Sequence, residues 1–260
     1  MTTPDIPMIV LSSLLGLLSA AFIARMCWNV THGGRASGLR TVCEVCGAPH
    51  PGVLQVPLLG YLVSRGRCRE CGARLPLRFV LCEVWFSALF PLLLVAYGTQ
   101  REVVELALLS CLLLVAALVD LDERVIPNML VIIMVFVRVV FCLLSAYPLQ
   151  QLLRSISAGL MLFLPLLLLV LVLERRGRGG GMGGGDLKLF LAVGMFFPWQ
   201  RDVLLLVLAC LFGVVSAFVG SRGRVQAGHT IAFAPAIACA AWVTMLIGGR
   251  ILIWYLGLFT

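Results

Sequence analysis

Residues 103–121 read VVELALLSCLLLVAALVDL, an apolar run that holds one acid, Glu105, before Asp120 near its end. About 20 such residues are enough for an α-helix to cross the hydrocarbon core of a bilayer. Of the 260 residues in the chain, 61% are hydrophobic and only 12% are charged, which is too little polar surface to cover a soluble core of this size. The sequence therefore predicts an all-α, polytopic integral membrane protein.

Eight segments share this apolar character. The sixth is too short to cross a bilayer alone, and we predict a half-helix that a glycine run opens and Pro198 closes. The eighth is long, and we predict that Gly248-Gly249 interrupts it. The segments lie at about 7–28, 79–98, 103–121, 125–146, 152–173, 186–198, 203–220 and 230–258.

Basic residues are distributed unevenly between the two sets of loops. Most arginines follow the first, third, fifth and seventh segments. Since cytoplasmic loops carry an excess of Lys and Arg, we predict periplasmic termini and a cytoplasmic loop at about residues 30–78. The net charge of +8 has the same explanation, because the basic residues orient the chain in a lipid bilayer. We therefore expect no nucleic acid as a partner. The opposite set of loops holds only Arg101, Arg154, Arg201 and Arg250.

Arg138 interrupts the fourth apolar segment. A charged side chain is costly at that depth, so we expect it to meet a partner or water. The sequence leaves open whether its role is structural or functional.

Asp120 is a candidate catalytic residue, because it ends the third segment at the predicted cytoplasmic face. A carboxylate is expensive at such a position and usually serves a function. Asp122 and Glu123 follow it, and we interpret them as part of a solvated turn.

Asp186 is a second candidate, directly after the glycine run. By itself it is explained equally well as a helix N-cap or as a catalyst. Gly183 and Gly185 would let an extended substrate backbone pass close to the chain. Two carboxylates at one membrane edge suit a shared-proton pair: the ionised member takes a proton from water while the protonated member polarises the scissile carbonyl. The chain contains neither a His-Glu-x-x-His nor a Gly-x-Ser-x-Gly motif.

Four cysteines form two Cys-x-x-Cys pairs, separated by 21 residues. This spacing suits a tetrahedral zinc site with four cysteine ligands, and the alternative is disulfides, which a reducing cytoplasm disfavours. An arginine-rich loop of this length has little core, so a structural zinc would supply folding free energy. The predicted ligands are Cys43, Cys46, Cys68 and Cys71.

Together these features resemble the type IV prepilin peptidase family, the leader peptidases and N-methyltransferases of type IV pilus and type II secretion systems. Asp120 to Asn128 looks like the family's Asp-x6-Pro-Asp/Asn motif, and Gly183 to Asp186 looks like its Gly-x-Gly-Asp motif. The loop from Cys43 to Cys71 looks like its four-cysteine loop. Residues 228–235 resemble its last-helix Ile-Pro-Phe-Gly-Pro segment.

The resemblance implies an eight-helix aspartyl protease in a bacterial inner membrane, with Asp120 and Asp186 catalytic at the cytoplasmic edge. It implies cleavage of a basic leader after Gly in prepilins or pseudopilins. It also implies methylation of the new N terminus from S-adenosylmethionine, associated with the four-cysteine loop. We expect Gly183, Gly185 and Lys188 to contact substrate. Glu83 would bind the incoming pilin amine or a loop arginine such as Arg78.

The predicted division is a first transmembrane helix at 1–30, a methylation-associated zinc loop at 31–78 and a seven-helix peptidase domain at 79–260. No oligomeric state is predicted. Two departures from the family pattern concern methylation: residues 18–25 lack its usual Gly and Asn, and residues 55–57 read Gln-Val-Pro for Asn-Ile-Pro. A third departure is that Ala232 and Ala234 replace a Pro and a Gly.

Three other functions stay open at this point. The first is a peptidase without methyltransferase activity. The second is an ion-coupled transporter, which should show an inverted repeat that the sequence lacks. The third is an assembly subunit that docks through its arginine-rich loop, which would keep its function without both aspartates.

Overall fold

The computed structural model is all-helical, and it describes residues 4–31, 43, 46, 58–98, 100–176, 183–220 and 232–258. Each of the eight predicted segments corresponds to one helix, and a further short helix lies before the second of them. The helices of the described residues are α1 (Ile6–Thr31), α2 (Leu59–Val63), α3 (Leu77–Tyr97), α4 (Arg101–Glu123), α5 (Asn128–Leu143), α6 (Pro148–Arg175), α7 (Gly184–Gly194), α8 (Trp199–Gly220) and α9 (Ala234–Leu256).

Six of these helices are long and apolar enough to cross a membrane: α1, α3, α4, α6, α8 and α9. The other two predicted segments are shorter, since α5 has 16 residues and α7 has 11. The predicted all-α, multi-pass fold is confirmed, and the count of about eight spans is approximate.

Two predicted helix boundaries are wrong. Helix α7 begins within the glycine run as expected, but it ends at Gly194, and Pro198 instead directly precedes α8. Helix α9 runs without a break through Gly248-Gly249. A glycine inside a helix keeps its backbone hydrogen bonds and costs only about 1 kcal/mol. Glycine at position 249 leaves room for the side chain of Arg201 in α8, because a Cβ atom on Gly249 would lie 3.1 Å from Nη2 of Arg201.

The chain divides into two compact units, Met1–Val103 and Val104–Thr260. In the first unit, α1 packs along α3. The backbones approach closely at Gly16, where a Cβ atom would clash with the carbonyl oxygen of Phe86. Small residues at helix interfaces are typical of packing in membranes, where close van der Waals contact holds helices together.

In the second unit, the short helix α7 packs against α5, α6 and α9. A Cβ atom on Gly159 of α6 would lie 2.8 Å from the Leu191 carbonyl oxygen, so the two helices meet backbone to backbone. Leu189, Phe190 and Val193 are fully buried. The predicted half-helix is therefore enclosed by its neighbours, and its first turn carries Asp186.

Candidate functional site

Asp120 lies in the last turn of α4 and is only 5% exposed. Its Oδ2 accepts a hydrogen bond of 2.9 Å from the backbone N–H of Ala234, the first residue of α9. The N–H of Phe233 also donates to this carboxylate. The first N–H groups of a helix have no partner within the helix, so the start of α9 supplies donors to the buried acid.

Asp186 is the third residue of α7 and is half-buried. Its Oδ2 accepts a hydrogen bond of 3.3 Å from the N–H of Gly183. Gly183 itself occupies the N-cap position, so the N-cap interpretation of Asp186 is wrong. The carboxylate caps the helix from the N3 position instead, as the acid of a capping box does.

The charges of the two carboxylates interact. Asp186 lies outside the six membrane-length helices. Burial, as the larger cause, and the negative charge of Asp120 together raise the pKa of Asp186 to about 6. The hydrogen bond from the Gly183 N–H acts in the opposite direction. Two interacting carboxylates, one of them with a raised pKa, can provide one acid and one base for hydrolysis.

The turn after α4 fixes the start of α7. A Cβ atom on Gly185 would lie 3.3 Å from Cβ of Ile126, so the glycine allows the two segments to touch. Lys188 Nζ donates a hydrogen bond of 2.9 Å to Asn128 Oδ1. The two aspartate motifs are thus in direct contact.

Phe233 connects α9 to the same region. Its ring lies 6.2 Å from that of Phe190 in α7, centre to centre. A Cβ atom on Gly213 of α8 would clash with the same ring, so α8 also approaches Phe233 closely. The Phe233 side chain therefore contacts both α7 and α8.

The structure distinguishes the acids at the end of α4. Asp120 is buried, Asp122 is half-buried and Glu123 is exposed. Sequence reasoning singled out Asp120, which is the buried acid of the three, but it gave no role to Phe233, Ala234 or Asn128. Their only signal was that they fall inside the quoted motifs.

The four cysteine sulfurs form a compact cluster, all within 4.8 Å of one another. Cys43 and Cys71 are 3.6 Å apart and Cys46 and Cys68 are 3.9 Å apart, sulfur to sulfur. In a tetrahedral zinc thiolate with Zn–S bonds of about 2.3 Å, the sulfurs are separated by about 3.8 Å. The residues present therefore fit a zinc centre with four cysteine ligands.

The second Cys-x-x-Cys pair lies in a tight turn. Gly72 adopts φ +72°, a left-handed conformation that suits glycine, and its N–H donates to the carbonyl oxygen of Cys68 at 3.0 Å. The backbone N–H groups of Cys71 and Glu70 lower the pKa of the Cys68 thiol to about 7. Such donors favour the thiolate, which is the form that binds metal.

Glu83 connects the loop to the first unit's helices. It lies in α3, is 8% exposed, and accepts a hydrogen bond of 2.8 Å from the N–H of Leu58, just before α2. It also interacts with the charge of Arg25 in α1. The guanidinium of Arg78 lies 4.9 Å from the ring centre of Phe79. A role of Glu83 toward a substrate amine stays a prediction.

Two family models match the chain. The type IV leader peptidase family matches residues 107–218, the range that contains Asp120 and Asp186. The bacterial Peptidase A24 N-terminal domain matches residues 14–97, the range that contains Glu83 and the four cysteines.

Curated relatives match over most of the chain. It is 30% identical over 220 residues to the prepilin leader peptidase/N-methyltransferase of Aeromonas salmonicida (strain A449), covering 84% of this chain and 74% of the relative. The protein of the same name in Neisseria gonorrhoeae is 28% identical over 202 residues, 77% of this chain and 68% of the relative. The protein of the same name in Bacillus subtilis (strain 168) is 27% identical over 228 residues, which cover 84% of this chain and 85% of the relative. No solved structure matches at a comparable level.

Proposed function

The chain belongs to the type IV leader peptidase family, and on that premise we propose that it cleaves the basic leader of a prepilin or pseudopilin after Gly, with Asp120 and Asp186 as the catalytic residues. The family resemblance expected from the motifs is confirmed. The chain is a multi-pass membrane aspartic peptidase whose relatives carry the name prepilin leader peptidase/N-methyltransferase. The observation that supports the two catalytic residues best is the contact between their motifs beside the start of α9.

We assign different roles to the two carboxylates. We assign Asp120 as the ionised member, because the backbone N–H groups of Ala234 and Phe233 stabilise its negative charge. It takes a proton from the attacking water while Asp186, the protonated member, donates to the scissile carbonyl oxygen. Water oxygen adds to the carbonyl carbon. The C–N bond then breaks, and the leaving amine receives a proton from the pair.

The glycines before Asp186 support binding of an extended substrate. Gly183 is exposed, and its φ of −70° and ψ of 147° place it in an extended conformation. We propose that the segment around the cleavage site lies along this edge, with Gly185 permitting close approach. Lys188 is exposed and bonded to Asn128, so it contributes to substrate binding chiefly by keeping the two motifs together.

The second proposed activity is methylation of the new N terminus with S-adenosylmethionine. Its support is the name of the relatives and the four-cysteine cluster within the matched N-terminal domain. Cys43, Cys46, Cys68 and Cys71 would hold a structural zinc that stabilises the loop. Glu83 anchors the same loop at Leu58. Residues 18–25 in the first helix lack the Gly and Asn of the family pattern. A peptidase without methyltransferase activity is therefore the second candidate function.

The arginine distribution supports an orientation in a bacterial inner membrane. With arginine-rich loops in the cytoplasm, both termini are periplasmic, and the aspartate pair and the zinc loop are cytoplasmic. Substrate would then approach from the side on which prepilins carry their basic leader.

The test is mass spectrometry of a prepilin-like peptide incubated with the purified protein and S-adenosylmethionine in proteoliposomes. We expect a product cut directly after the leader glycine and carrying one added methyl group at its new N terminus. An uncut peptide would refute the peptidase proposal. A product that is cut but not methylated would refute the methyltransferase proposal and support the second candidate, a peptidase alone.

A further inference from the structure

A buried arginine joins four segments of the second unit. Arg138 in α5 donates a hydrogen bond from Nη1 to Glu105 Oε1 in α4, and another of 3.0 Å from Nε to Ser155 Oγ in α6. Its guanidinium lies 5.6 Å from the ring centre of Phe196, in the turn that follows α7. The partner expected for Arg138 is therefore Glu105, and we call these four residues the arginine clamp.

The clamp is enclosed in the protein. The Arg138 side chain is 11% exposed, that of Glu105 is 9% exposed, and Ser155 is 2% exposed. Ser155 Oγ also donates to the Gln151 carbonyl oxygen at 2.9 Å, which leaves it oriented to accept from Arg138. Hydrophobic side chains of similar volume are often as stable as a buried ion pair, and they cost less in a bilayer. Stability alone is thus a weak explanation for the clamp.

The clamp is connected to both helices that carry the proposed catalytic pair, since Glu105 lies in α4 and Phe196 lies in the turn that follows α7. Glu105 precedes Asp120 by 15 residues along α4, about 22 Å at 1.5 Å per residue. Phe196 follows Asp186 by 10 residues, and the eight residues from Asp186 to the end of α7 at Gly194 rise about 12 Å. Helix α4 is therefore tied at one end through Asp120 to the start of α9, and toward its other end through Glu105 to Arg138.

We propose that Arg138 is a positioning residue: it holds α4 and the end of α7 in the register at which Asp120 and Asp186 share a proton. The proposal rests on the proposed peptidase function. Removing the clamp would let either helix shift along or about its axis. A displacement of about 1 Å between catalytic groups can cost roughly a hundredfold in rate.

The test compares Arg138→Met, Glu105→Gln and the double variant Glu105→Gln/Arg138→Met with wild type in proteoliposomes. Each single change breaks the buried ion pair but keeps one of its two charges, so both should lower the melting temperature and lower kcat by about 10- to 100-fold at unchanged KM. The double variant removes both charges. It should recover the melting temperature while kcat stays low, because the link between helices is still missing.

A matched control and a readout without catalysis complete the design. Ser110→Ala removes a buried hydroxyl from the middle of α4, outside the clamp, and should leave kcat unchanged. The variant Asp120→Cys/Asp186→Cys reports the spacing through the yield of a bis-maleimide cross-link between these two positions, identified by peptide mass spectrometry. That yield should fall when Arg138→Met is added.

Recovery of both kcat and melting temperature in the double variant would overturn the proposal, and so would wild-type kcat in Arg138→Met. A wild type that cleaves nothing would refute the peptidase function instead. In that case the cross-link yield still decides the positioning role, since an unchanged yield in Arg138→Met would overturn it.

Discussion

The cysteine cluster and the aspartate pair are built in different ways. The cluster comes from one loop, in which Cys43 and Cys71 are 28 residues apart, and its sulfur spacing suits a metal. The aspartate pair comes from α4 and α7, which are 66 residues apart at Asp120 and Asp186, and it depends on packed helices. The two sites also belong to different compact units. A loop stabilised by a metal and a site stabilised by helix packing should fail independently of each other.

The aspartate pair should show the largest effect. Asp120→Asn and Asp186→Asn should each reduce leader cleavage by at least about 10³-fold, because a shared-proton pair cannot work with one member. Zinc content should stay at the wild-type value, as measured by elemental mass spectrometry. Asp122→Asn and Glu123→Gln are the matched controls and should lose far less. Near-normal cleavage by either pair variant would remove that residue from the mechanism.

Helix packing at the pair can be disturbed without touching a carboxylate. Gly185→Val should lower kcat about 10- to 100-fold, because its side chain would displace Ile126 and shift Asp186. Gly184→Ala adds a Cβ atom where nothing lies within 4 Å, and should have a much smaller effect. Equal rates for the two variants in a steady-state cleavage assay would show that this contact does not position the pair.

The protonation of the pair predicts a pH dependence. The pKa of Asp186 is raised to about 6 by burial and by Asp120, so the proton is present below that pH and is lost as the pH rises through it. We expect kcat/KM to fall by about tenfold per pH unit above the pKa of the pair. The measurement is a pH series of initial rates, with Gly184→Ala as a parallel control. A rate that keeps rising toward alkaline pH would exclude a protonated carboxylic acid as the catalyst.

The smallest effect concerns the exposed contact between the two motifs. Lys188→Met removes the hydrogen bond to Asn128 and should lower kcat about two- to tenfold, since an exposed bond of this kind contributes about 0.5–1.5 kcal/mol. Asn128→Ala should give a similar loss, and the double variant should be no worse than either single one. Fully additive losses would show that Lys188 acts on the substrate by itself.

The sequence predicted most of what depends on local pattern. Apolar runs identified all eight segments, and six of them form helices long and apolar enough to cross a bilayer. Cys-x-x-Cys spacing identified the four thiols because both halves of the cluster are local. Asp120 was preferred to Asp122 because it lies nearer the apolar end of its segment.

Features that depend on distant partners were missed. The N–H groups of Phe233 and Ala234 reach Asp120 from more than 100 residues away, and no local pattern indicates that pairing. Glu105 lies in an apolar run, but the sequence did not pair it with Arg138. The predicted break at Gly248-Gly249 is wrong because a glycine costs a helix interior only about 1 kcal/mol, which does not interrupt this 23-residue helix.

The most direct test of whether the cysteine cluster and the aspartate pair work independently is one mass spectrometric assay of wild type, Cys68→Ser and Asp186→Asn. Each protein receives a full-length prepilin-like peptide and, separately, the same peptide already cut. We predict that Cys68→Ser loses its zinc and its methyl transfer but retains cleavage. Asp186→Asn should methylate the cut peptide but leave the full-length one intact. A Cys68→Ser protein that inserts correctly yet cleaves nothing would contradict the account, and so would one that still binds zinc.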